Sequence, residues 1–99
     1  MNYPSFFDRV EPISLQDPLS NFLGAFVDGK LDITYLDCVK LAGHSCPTVA
    51  GAYLMACKGL ESLYPDRLPQ RGFVKVEMRD GETHAVTGVV CNVIAFIAG

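Results

Sequence analysis

The chain has no long uninterrupted hydrophobic run. Its longest apolar stretch, Ala85 to Ala98, contains Thr87 and Asn92 and falls short of the ~20 residues a membrane-spanning helix needs. It also lacks an export-type leader: the opening MNYPSFFDRVEP has no basic region followed by an apolar block, so a soluble, cytoplasmic protein is expected. Basic residues are sparse and unclustered. Eight Lys and Arg stand against eleven Asp and Glu, for a net charge of -3, which argues against a nucleic-acid footprint. There is no Gly-rich phosphate loop, no serine-centred nucleophile elbow, no paired-carboxylate pattern, no internal repeat and no low-complexity tract. Nucleotide-phosphate, serine-hydrolase and glycosidase chemistries therefore have no support.

What is present suits one small domain. Of 99 residues, 49% are hydrophobic, enough for a single core. A chain this short buries a smaller share of its surface than a larger domain does, so a metal or a second copy of the chain is expected to help. The four cysteines, Cys38, Cys46, Cys57 and Cys91, are widely and irregularly spaced. Without an export signal, free thiols or metal ligands are expected in place of disulfides.

Residues 1–13 read as an irregular lead-in with Pro4 and Pro12 as breakers. DPLSNFLGAFVDG reads as a helix, capped by Asp17 with Pro18 at its first position. Leu19, Phe22, Leu23, Phe26 and Val27 form one apolar stripe, and Gly29 is the stop. In TYLDCVKLAG, Thr34 followed by Asp37 resembles a capping box, which predicts a short helix ending at Gly43. A second helix starts at Cys46-Pro47, with Val49, Ala52, Tyr53, Ala56, Leu60, Leu63 and Tyr64 on one face, and stops at Pro65. Phe73 to Arg79 alternates as a half-buried strand, and Asp80-Gly81 reads as a turn, with a hairpin as one outcome. HAVTGVVCNVIAFIAG combines β-branched residues with helical length, and a buried helix is favoured. The predicted fold class is α+β, with helices packed on a small, mostly antiparallel sheet. Because the final helix is apolar almost all round, a homodimer with this segment at or beside the interface is expected.

The stretch LAGHSCPTVAGAY concentrates the chemistry. Cys46 falls at a helix N-terminus, where free N–H groups and the positive dipole end stabilise a thiolate. His44 adds an imidazole nitrogen two residues away. One nitrogen and one sulfur donor suit zinc or a similar borderline divalent metal, but two ligands do not complete a site. Cys91 is the third candidate ligand, against the plainer reading of a small buried residue among valines. His84 is a weaker fourth, against a solvated place after a polar turn. Cys38 and Cys57 are assigned to packing, Cys57 lying about 16 Å along the helix from Cys46. A Cys46 nucleophile with His44 as its base is the catalytic alternative, although no orienting third group is evident.

The segment AGHSCPTVAGAYLMACKGLESL resembles the GHxCP signature of the FmdE family, named after a component of formylmethanofuran dehydrogenase. The likeness runs over about residues 31–99, with Gly51 one turn into the helix and Cys91 as counterpart of the family's later cysteine. Ala42 stands where many members carry a second histidine, and Thr48 where many carry glycine. The resemblance implies an FmdE-like α+β core, here expected to be truncated at its C-terminal end, with a metal or active-site cleft near His44 and Cys46. It also implies an accessory or assembly role beside a larger molybdenum- or tungsten-dependent oxidoreductase complex.

Overall fold

The computed structural model describes residues 3–78 and 85–99. Strands β1 (Ile13–Gln16) and β2 (Lys30–Ile33) pair antiparallel, with Ile13 opposite Ile33 and Leu15 opposite Leu31. The side chains of Ile13, Leu15 and Ile33 are buried, while the outward Ser14 hydroxyl donates to Asp32 at 2.7 Å. Among the described residues four helices complete the architecture: α1 (Pro18–Phe22), α2 (Tyr35–Ala42), α3 (Pro47–Leu63) and α4 (Ala85–Ala98). The last three pack on one another in every pairing. The result is a small α+β fold, and no helix among the described residues is long and apolar enough to cross a membrane.

Helix α2 begins at a true capping box. The Thr34 hydroxyl accepts from the Asp37 N–H at 3.1 Å, and the Asp37 carboxylate accepts from the Thr34 N–H at 2.9 Å, so two N–H groups without helical partners are satisfied reciprocally. It ends at Gly43, whose left-handed φ of 85° lets its N–H reach the Val39 carbonyl. Helix α3 buries Val49, Ala52, Tyr53, Ala56 and Leu60, but Leu63 is exposed and Tyr64 lies beyond the last turn. Helix α4 buries Val90, Val93, Ile94, Ile97 and Ala98. Each fully buried valine or isoleucine of this kind contributes about 1.5–3 kcal/mol. The C-terminal segment is thus the buried helix expected, with Val89 and Phe96 only partly covered and Ala95 exposed.

Three expectations are corrected. The capped helix from Asp17 lasts only to Phe22. Asp17 does accept from the Leu19 and Ser20 N–H groups, but the chain turns at Leu23 and Gly24, and a short 3-10 turn follows at Val27–Gly29. With the helix broken, its apolar stripe is left exposed. Residues 73–78 form no strand. Among the described residues, an isolated parallel bridge between Gln16 and Gln70 is what touches the sheet near there, and an extended segment without a ladder partner cannot register as one. Its two-residue rhythm persists in part: Val74 and Met78 pack on the core while Lys75 and Glu77 face out. The lead-in is not simply irregular, because it holds a 3-10 turn at Ser5–Arg9 that buries Phe7. Phe7 meets Tyr35 edge-on at 5.1 Å, and Tyr35 meets Tyr53 at 5.6 Å. The turn at Asp80-Gly81 lies outside the described residues.

Gly29 and Gly51 should respond oppositely to alanine. At Gly29, φ is 69° and an added Cβ would strike the Asp17 carbonyl oxygen, so Gly29→Ala is expected to cost on the order of 2 kcal/mol. At Gly51, inside α3, a Cβ meets nothing within 4 Å, and Gly51→Ala should stabilise by about 0.5–1 kcal/mol. Urea unfolding of the two variants checks both signs.

Candidate functional site

The site lies where α2 hands over to α3. Gly43 ends the first helix in a conformation costly to other residues, His44 and Ser45 cross the gap, and Cys46 takes the extended N-cap position with Pro47 at the first helical place. The Cys46 carbonyl accepts the first helical bond, from Ala50 at 3.0 Å. Its side chain makes no capping hydrogen bond of good geometry, yet it faces the N–H groups that open the helix. The Val49 N–H is the main cause holding the Cys46 thiol below its ordinary pKa. Partial burial opposes this, and the Thr48 N–H and the His44 imidazole add to the lowering. These are the groups expected to favour a thiolate at a helix N-terminus.

His44 is exposed. Its Nδ1 lies 3.2 Å from the Ala42 carbonyl, a contact only an Nδ1–H can satisfy. In the tautomer protonated at Nδ1 that hydrogen bond forms and Nε2 carries the available lone pair. On its other side Cys46 borders a cavity of about 420 Å³. Phe6, Val10, Pro47, Ala50 and Leu54 give it apolar walls, and Tyr35 and Ser45 add a polar edge where their hydroxyls share a 2.8 Å hydrogen bond. The volume is within the range of small-ligand sites, which combine mostly apolar walls with a few polar groups.

The structure brings His44 and Cys46 together, whereas Cys91 sits inside α4, well past its start at Ala85. Among the described residues no group of three or more His, Cys, Asp or Glu side chains gathers as a metal site. His84 lies outside the described residues. All four cysteines are free. Cys38 is fully buried, and desolvation pushes its thiol up to about 11. Cys57 lies in α3, with its thiol 3.4 Å from the Glu61 carboxylate, and burial followed by that hydrogen bond raises its pKa.

Sequence reasoning misses the hydroxyl pair and the cavity. Tyr35 is visible as the residue just inside a capping box and Ser45 as the spacer between His44 and Cys46, but their contact depends on the turn at Gly43. Phe6 and Val10 are hidden in the lead-in. Comparison with family models, curated proteins and solved structures finds no match to this chain.

Cys46 should be the fastest thiol to alkylate relative to Cys57 and Cys38. The lowered pKa puts more thiolate on Cys46 at neutral pH, while the other two are raised and remain protonated. Site-resolved mass spectrometry with iodoacetamide across a pH series measures this. Replacing His44 by Gln should move the Cys46 rate midpoint to higher pH, and a faster Cys57 would contradict the assignment.

Proposed function

We propose that this chain is a small metal-binding protein of the FmdE type, cytoplasmic and homodimeric, in which His44 and Cys46 hold a divalent ion, zinc first among the candidates. The observation that supports this is the shared placement of an imidazole nitrogen and a thiol of lowered pKa at the start of α3. The donor set fits zinc in part. Nitrogen and sulfur are its common ligands, and two of four tetrahedral positions are supplied. The remaining positions fall to external ligands or to Cys91 and His84, the other candidates in the sequence. When bound, such an ion supplies Lewis acidity to whatever ligand takes an open position. The chain's own residues do the rest: the Ala42 carbonyl holds the His44 ring, the helix N–H groups favour the Cys46 thiolate, and the apolar walls limit water beside the thiol. An accessory or assembly role beside a molybdenum- or tungsten-dependent formylmethanofuran dehydrogenase-type enzyme rests on the GHxCP resemblance alone, and co-purification of a large partner tests it.

The cavity favours a second reading, a thiol-based transfer or redox enzyme with Cys46 as nucleophile. His44 serves as its base, and the Tyr35–Ser45 hydroxyls orient a polar group of the substrate.

Elemental analysis of protein purified without added metal separates the two. The metal reading expects about one ion per chain, lost in the His44→Ala/Cys46→Ala double variant. Unchanged stoichiometry in that variant would sink it. A metal-free protein whose Cys46 still alkylates rapidly would favour the nucleophile.

A further inference from the structure

The connection between β1 and β2 exposes apolar surface on a fixed scaffold. From Pro18 to Val27 it carries no charged residue, and Leu19, Phe22, Leu23, Phe26 and Val27 all stand in the open, Phe22 at 84% and Val27 at 86% exposure. The segment has defined internal bonding. Helix α1 packs on the 3-10 turn, the Ala25 N–H donates to the Ser20 carbonyl at 2.8 Å, and the ends are tied where the Asp17 N–H donates to the Gly29 carbonyl at 2.7 Å. Phe73, also exposed, borders the same cleft as Pro18 and Leu19. Of the other exposed apolar residues, Val76 sits between Lys75 and Glu77 and Leu54 lies beside the Cys46 cavity.

We infer that this surface joins two copies of the chain. Its six large apolar side chains would remove on the order of 700 Å² from water on each partner, close to the ~800 Å² a standard stable interface buries per side. An apolar patch of that size exceeds what monomers usually expose, and the lack of charge is the composition of an interface centre. A two-fold dimer requires a patch that complements itself. Here Phe22, one turn along α1 from Pro18, stands near the cleft that Pro18, Leu19 and Phe73 share with the Asp17–Arg71 ion pair, so each copy offers both a ring and a recess of mixed character to receive it. The inference rests on the homodimer proposed above and gives it a surface, but it is separate from the His44–Cys46 site and does not depend on metal or thiol chemistry there.

Sedimentation of the full chain at low-micromolar concentration, with reductant present to exclude cystine links, tests the assignment. The wild type is expected at twice the chain mass. Phe22→Asp and Val27→Asp are each expected to weaken self-association by about 30-fold or more while far-UV circular dichroism stays unchanged, because both side chains are already in solvent. Met55→Asp, an exposed position on α3, should leave the dimer intact. A monomeric wild type overturns the inference. So does a dimer of unchanged affinity in both aspartate variants, or an open-ended series of larger species.

Discussion

One guanidinium closes the molecule. Arg71 donates to the carbonyls of Phe96 at 2.5 Å and Ile97 at 3.3 Å, at the end of α4 where a helix has carbonyls left over. It also pairs with Asp17 at 3.2 Å, the residue that caps α1. The backbone beside it continues the seam: the Arg71 N–H reaches the Gln16 carbonyl at 2.7 Å, and the Gly72 N–H reaches the Ala98 carbonyl at 2.7 Å. The end of β1, the start of α1 and the end of α4 therefore meet at one residue, and taking its side chain away would strand the Asp17, Phe96 and Ile97 acceptors. The Asp17 carboxyl is held below its usual pKa, first by the Ser20 N–H and further by Arg71. A depressed carboxyl stabilises the fold at pH above the ordinary carboxylate range, and that support is lost as the pH falls through the lowered value.

The geometry at Cys46 is a downstream result of this closure. Helix α4 is anchored at its C-terminal end and packs along α3 and α2, the two helices whose junction carries Cys46. The opposite wall of the cavity comes from the lead-in. That wall is held by Phe7 against Tyr35, and by the Tyr53 hydroxyl donating to the Glu11 carbonyl at 2.5 Å. Burial pushes Tyr53 up to about 12, so the phenol remains a neutral donor over the whole range in which Cys46 titrates.

Local signals are legible where the chemistry is local. The Thr34–Asp37 capping box, the stop at Gly43, the Cys46-Pro47 start and the long apolar α4 all depend on neighbours a few residues apart, and each shows in the sequence. The two strands escape such a reading because Ile13–Gln16 and Lys30–Ile33 offer only four residues each of two-fold alternation, and their pairing joins segments separated by the α1 excursion. Phe73 to Arg79 has the stronger alternation, but alternation supplies no partner strand. The stripe from Leu19 to Val27 is a sound helical pattern, yet periodicity does not register that the chain turns at Gly24 before a second turn can form. At the site, the sequence carries the His44–Cys46 pair. Its relation to the cavity depends on Phe6, Val10 and Tyr35, which converge only through tertiary packing.

The burial of Cys38 gives the fold its own clock. Its side chain has no exposed surface and lies in α2, the helix that follows β2 and leads into the site. A reagent can reach it only when that helix leaves the core, so its modification rate, divided by the rate of an unprotected thiol, gives the free energy of that opening. Comparing the value with the global unfolding free energy would show whether the handover from α2 to α3 opens as a separate cooperative unit or only with the whole chain.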